Sequence, residues 1–253
     1  MNTPAAARAS ALDTARTSHW SVEVDDAAAY VTFDRRPDNQ LRFADLRALE
    51  AVLAVLGEDA AVAVVVLQSG CPGYFLGHAD LDEIEQLRRG ERTDDTLARW
   101  MSTTAAVESL PQPVVAAVDG QAWGGGCELA LACTFRIASP ASHFAQMEIL
   151  RGAMPGAGAT QRLPRLIGWS PAAHMLMTGR RVDAGEALSL GLLTAIIDDH
   201  DFTAGVRRWV SEIASQPRRG LVGIKQAMRE GQRLSPDDAY RNEQRLFHEV
   251  LQP

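Results

Sequence analysis

Between residues 19 and 33 apolar and polar positions alternate, first at Trp20, Val22 and Val24 and again at Ala29, Val31 and Phe33. A period of two belongs to half-buried strands, so the spacing predicts two short strands joined at Asp25-Asp26. Beyond Pro37, the positions Leu41, Leu46, Leu49, Val52, Leu53 and Leu56 recur at helical spacing, and that helix stops near Gly57. Ala60 to Leu67 is then an apolar run, which predicts a strand over Ala60 to Gln68 covered on both faces. Ser69 to Gly73 is turn chemistry, leading through Tyr74 to Leu81 into a polar helix that ends near Gly90. A further helix fits residues 94–108, and Pro111 and Pro113 break it before a buried strand at Val114–Val118. Gly120 to Gly126 reads as a glycine-rich turn feeding a short helix, Cys127 to Cys133, so a strand, glycine turn, helix junction occurs twice. Phe135–Ala138 and His143–Ala145 read as strands and Gly152 to Gly158 as another glycine-rich loop. From Gln161 onward helical periodicity dominates. Strands mixed with helices first, then helices alone, is an α/β pattern.

Composition narrows the partners. The chain has 253 residues, 46% apolar and 23% charged, enough for one sizeable core in one or two domains. With 32 acidic and 25 basic residues the formal charge is -7, the wrong sign for a phosphate backbone or an anionic membrane surface. Nucleic acid and membrane are therefore excluded as expected partners. The three cysteines, Cys71, Cys127 and Cys133, are odd in number and form no CxxC pair, which argues against a disulfide framework and a zinc site. A reducing, cytoplasmic setting is expected. Residues 1–18 are rich in alanine but interrupted by Arg8, Asp13 and Arg16, and read as a flexible N-terminal extension.

Three consecutive glycines, Gly124-Gly125-Gly126, at a helix start let a ligand approach bare backbone N–H groups at the positive end of the helix. Gly77, ahead of another helix start near Asp80, offers a second such donor, and two donors on one oxygen make an oxyanion hole. Singly, each glycine cluster is more often a tight turn. The stretch lacks GxGxxG spacing and a following Lys-Ser or Lys-Thr, so neither nucleotide fingerprint fits. Glu128 and Glu148 both lie in apolar company, where desolvation raises a carboxyl pKa toward the range useful for general acid and base work. His78, His143 and His174 are scattered, without HExxH spacing, and no serine occupies a GxSxG elbow. Lys225, the only lysine in the chain, sits on a helix after Pro217 and has the point charge that suits a phosphate.

The run from Ala117 through Gly124-Gly125-Gly126-Cys127-Glu128 to Ala130, the stretch Phe144 to Gly152 and the stretch Pro155 to Gly168 resemble the crotonase (enoyl-CoA hydratase/isomerase) superfamily, closest to its hydratases. The likeness extends to Leu176 to Gly179, Ala187 to Leu192 and Lys225, and upstream to Arg36-Pro37 and Phe75 to Leu81. It implies an α/β spiral of ββα units over residues 19–200 and a C-terminal helical region, 201–253, that mediates homotrimers or homohexamers. The implied substrate is an acyl-CoA thioester, bound against Leu76, Gly77, Asp80, Gly124, Gly125 and Lys225. No separate cofactor and no metal is implied, since CoA is part of the substrate. By position, the amides of Gly77 and Gly125 would hold the thioester oxygen. Glu128 would activate water and Glu148 would exchange a proton with C2. The presence of both glutamates favours hydratase over isomerase. Another thioester-enolate reaction on the same scaffold and a CoA-binding scaffold of poor activity are the further readings.

Three positions depart from the superfamily pattern. His78 stands where a glycine is usual, which changes the loop that carries the first oxyanion amide. Thr134 replaces a common acidic residue, and Met147 replaces a frequent proline before Glu148, leaving that backbone freer.

Overall fold

The computed structural model describes residues 19–91, 95–198 and 200–252. The extension expected over residues 1–18 lies outside them. Strands β1 (Trp20–Asp25) and β2 (Ala28–Phe33) form the antiparallel hairpin. Its turn falls one residue later than predicted because Asp26 takes φ +49°, a left-handed conformation that Asp tolerates. β3 (Val64–Ser69), β4 (Val114–Val118), β6 (Phe135–Ala138) and β9 (Ala195–Ile196) extend it in parallel, giving the sheet order β1-β2-β3-β4-β6-β9.

A second, smaller sheet of order β5-β7-β8 is built from β5 (Gln121–Trp123), β7 (His143–Ala145) and β8 (Val182–Asp183). A bridge from Tyr74 to Gln121 adds a further rung. The chain repeatedly gives one strand to the large sheet, the next to the small one, and then turns into a helix: β4, β5 and α4 (Gly125–Ala132), then β6, β7 and a 3-10 turn at Glu148–Arg151. This is the expected spiral of ββα units.

Alternation within the central strands sorts their side chains onto two faces. Val65, Leu67, Val114, Ala116 and Val118 pack with Leu46, Leu49, Val52 and Leu53 of α1 (Phe43–Glu58) and Val107 of α3 (Asp95–Ser109). Each fully buried leucine or valine there contributes about 1.5–3 kcal/mol. On the opposite face Tyr30, Val64, Val66, Val115 and Ile137 meet Val206 and Val210 of α8 (Phe202–Ala214), so this helix lies against the sheet although it follows residue 200. α9 (Arg218–Gly231) and α10 (Pro236–Leu251) pack on each other beyond it.

The remaining differences have local causes. β3 begins at Val64 rather than Ala60, because Asp59 Oδ1 accepts the Ala61 N–H (2.9 Å) and holds Ala60 and Ala61 in an exposed turn. Alanine is apolar enough to extend a strand pattern without burying anything. α4 begins two residues before Cys127, on the glycines themselves. β5, β8 and β9 are two or three residues long, too short to leave a periodic signal.

Candidate active site

Each of the three consecutive glycines admits a different neighbour. Gly124 caps α4 with φ +49° and ψ -124°, which a side chain would strain. A Cβ on Gly124 would stand 3.1 Å from Oε1 of Glu148 and 3.2 Å from Cβ of His78. On Gly125 it would collide with the indole of Trp100 from α3, and on Gly126 with the carbonyl of Leu76. The glycine run therefore brings the 76–78 loop, α3 and Glu148 against one helix start. Gly125, as the first helical residue, has an N–H with no intrahelical acceptor, and no other described group accepts it.

The loop itself corrects one expectation. The Gly77 N–H is not free, since it donates to the carbonyl of Asn39 (2.8 Å). In a trans peptide the N–H of residue 77 and the C=O of residue 76 point in opposite directions, so α4 lies on the side of the loop away from Asn39. Further along, His78 O accepts the Leu41 N–H (3.0 Å) and the Asp80 N–H donates to Leu41 O (2.8 Å). This parallel ladder brackets Ala79 and turns its N–H away from residues 39–41, to the side where α4 lies. The Ala79 N–H has no protein acceptor among the described residues.

Three other residues expected at the ligand, Leu76, Asp80 and Lys225, make contacts within the protein. Leu76 is fully buried, and its carbonyl rests against α4. Asp80 caps α2 (Leu81–Arg88), its Oδ1 accepting from the N–H groups of Asp82 (3.2 Å) and Glu83 (3.3 Å), while Oδ2 pairs with Arg35 (2.9 Å) and Arg42 (3.4 Å). Burial pushes its pKa up, but the Glu83 amide and the two guanidiniums together hold it below the usual carboxylate range. Lys225 Nζ donates to the carbonyls of Leu110 (2.7 Å) and Gln112 (2.8 Å), just past the C-terminus of α3 and about 15 Å along that axis from Trp100. Burial lowers its pKa to about 8. It clamps a chain turn whose carbonyls would otherwise be unpaired.

The two glutamates are brought together. Glu128, one turn into α4, is 3% exposed, and its Oε1 accepts the N–H groups of Ala157 (2.7 Å) and Ala159 (3.1 Å). These amides come from the Gly152–Gly158 loop and the start of α5 (Ala159–Ile167). Burial raises the Glu128 pKa to about 7, and the charge of Glu148 adds to that rise, against the pull of the two amides and Arg162. Glu148 opens the 3-10 turn, and burial raises its pKa as well. The Gln146 amide, with its nitrogen facing the carboxylate, donates to both Glu148 oxygens (3.1 and 3.2 Å). Nothing in residue type marked Ala79, Ala157, Ala159 or Gln146 in the sequence, because three of them act through the main chain.

His78 donates Nδ1–H to the carbonyl of Ala79 (2.8 Å), which fixes its ring. It lines a cavity of about 200 Å³ with Asp38, Tyr74, Gly77, Gln121 and Trp123, and the Arg181 guanidinium stacks 4.5 Å from the Trp123 ring. Among the described residues no three His, Cys, Asp or Glu side chains gather as a metal site, and no helix is long and apolar enough to cross a membrane.

A family model described as enoyl-CoA hydratase/isomerase matches residues 23–253. The short-chain-enoyl-CoA hydratase of Clostridium acetobutylicum is 32% identical over 232 residues, covering 91% of this chain and 88% of that protein. The crystal structure of an enoyl-CoA hydratase from Bacillus anthracis superposes with a TM-score of 0.86 at 32% identity, covering 92% of this chain and 91% of the other.

Proposed function

The chain belongs to the enoyl-CoA hydratase/isomerase family, and from that premise we propose that it adds water across the 2,3 double bond of an enoyl-CoA thioester. The amides of Ala79 and Gly125 hold the thioester oxygen, with the positive end of α4 behind them. Conjugation makes C3 electrophilic, and attack there moves negative charge onto that oxygen, where fixed N–H donors stabilise it better than they stabilise the ground state. Glu128, oriented by the Ala157 and Ala159 amides, takes the proton of the attacking water, and Glu148 delivers a proton to C2. The water oxygen ends on C3, one hydrogen ends on C2, and the product is a 3-hydroxyacyl-CoA.

One observation carries this reading: a buried carboxylate, Glu128, and a half-buried one, Glu148, both with raised pKa values, meet beside a helix start whose first N–H has no acceptor among the described residues. A pKa of about 7 for Glu128 leaves both protonation states populated near neutrality, which suits exchange of a proton in either direction. The test is the loss of enone absorbance of crotonyl-CoA. Glu148→Gln is expected to lower kcat by about 10²- to 10⁴-fold, the usual contribution of a positioned acid or base. A variant as fast as the native protein would sink the assignment, and turnover of a 3-enoyl-CoA without hydration would make it an isomerase.

The assembly is proposed to be a homotrimer or homohexamer built on the last two helices. Ile224 and Met228 of α9 and Tyr240, Phe247 and Leu251 of α10 are all exposed, a concentration of large apolar side chains that an isolated protomer would leave in water.

A further inference from the structure

Asn39 is fully buried and sits at φ +55°, and its polar atoms are all engaged. Its Oδ1 accepts the Arg35 N–H (2.8 Å). Its Nδ2 lies within hydrogen-bonding distance of the Phe33 carbonyl (3.3 Å), Ser69 Oγ (2.9 Å) and the Phe75 carbonyl (2.5 Å). The side chain thus ties the end of β2, the end of β3 and the start of the loop that leads to Ala79. The main chain adds two further ties, since Asn39 N–H donates to Arg35 O (2.9 Å) and Asn39 O accepts the Gly77 N–H (2.8 Å). Gly77 is pressed so closely on this segment that a Cβ would fall 2.6 Å from Asp38 O and 2.7 Å from Asn39 O. Two residues on, Leu41 carries the ladder that brackets Ala79.

We infer that Asn39 is a positioning residue for the thioester reaction: acting through Gly77 and the Leu41 ladder, it fixes the direction of the Ala79 N–H relative to the start of α4. The inference rests on the oxyanion reading above. A hydrogen-bond donor works on a developing charge only if it is already aimed, and misplacement by about 1 Å can cost about 100-fold in rate. The Ala79 N–H has no acceptor among the described residues, so its direction is set from the other end of the same planar peptide, where His78 O accepts the Leu41 N–H (3.0 Å), and from the residues that grip Leu41 and Gly77.

The decisive experiment compares the full-length protein with Asn39→Gly, which keeps the left-handed backbone and the bond to Gly77 but removes the tether. The probe is 3-hydroxybutyryl-CoA carrying ¹³C at the thioester carbonyl, whose resonance reports polarisation by the bound amides. In the variant kcat is expected to fall about 10- to 100-fold with KM changed by no more than about 3-fold. The bound carbonyl resonance is expected to move back toward that of free thioester, while the pH dependence of kcat, set by the glutamates, stays where it was. A variant that binds the probe with the native resonance overturns the inference. If Asn39→Gly does not fold, Asn39→Asp, which tolerates the left-handed backbone and keeps an acceptor for the Arg35 N–H but removes the Nδ2 donors, decides on the same readout. Movement toward the free value supports the inference and an unmoved resonance overturns it. If the native protein itself leaves the carbonyl unpolarised, the oxyanion reading falls and takes this inference with it; a polarised native complex with unmoved variants removes this inference alone.

Discussion

Glu128 is a carboxylate placed where its charge is costly. Its folded pKa of about 7, against an ordinary 4.5, means the native state binds the proton more tightly than the unfolded chain does. The sign follows from linkage: the native state is favoured while the group is protonated in both states, below about 4.5, and this advantage is lost as pH rises through about 7. The whole effect is about 3 kcal/mol. Glu128→Gln keeps an oxygen for the Ala157 and Ala159 amides and removes the charge. Urea unfolding is therefore expected to show the variant gaining on the native protein between pH 5 and pH 8, by about 3 kcal/mol at most. A difference that stays flat over that range would mean that the site tolerates the charge. The neighbouring carboxylate acts in the same direction, so Glu148→Gln should lower the Glu128 pKa in a ¹³C-detected titration.

Between elements, the decisive contact is the start of α4 against the 76–78 loop. Both partners at Gly126 and Leu76 are backbone, so neither can yield as a flexible side chain would. Gly126→Ala is expected to push the loop off the helix, cost about 1–3 kcal/mol of stability and lower kcat/KM by about 100-fold. Full activity in a folded Gly126→Ala protein would show that the loop is not held where the site requires it. Most of the scaffold for this contact was legible in the residue pattern: β4, β6 and β7 fall on their expected residues, and α1, α2 and α3 lie within about two residues of theirs. Their signals are long apolar periods or runs bounded by glycine and proline. The loop over residues 76–80 was legible only in outline. Gly77 looks like a ligand-facing glycine in the sequence, yet it is needed for the close approach of Asn39, and the N–H without an acceptor among the described residues is two positions later.

For the molecule as a whole, the exposed apolar side chains of α9 and α10 call for a partner surface. Equilibrium sedimentation is expected to give three or six times the protomer mass of 27.4 kDa, and Met228→Glu with Phe247→Glu should shift the population toward single chains. A native protein that sediments as a monomer would remove the proposed assembly.

The sequence by itself determined the spiral scaffold and the pair of glutamates, because hydrophobic period, glycine runs and carboxylates in apolar surroundings are properties of residue type and spacing. Tertiary structure alone decided which amides are free, how Lys225 and Asp80 spend their charges, and that Asn39 grips the loop before Ala79. Every residue but proline carries the same N–H, and only its surroundings determine whether that N–H is already bonded or still has a bond to offer.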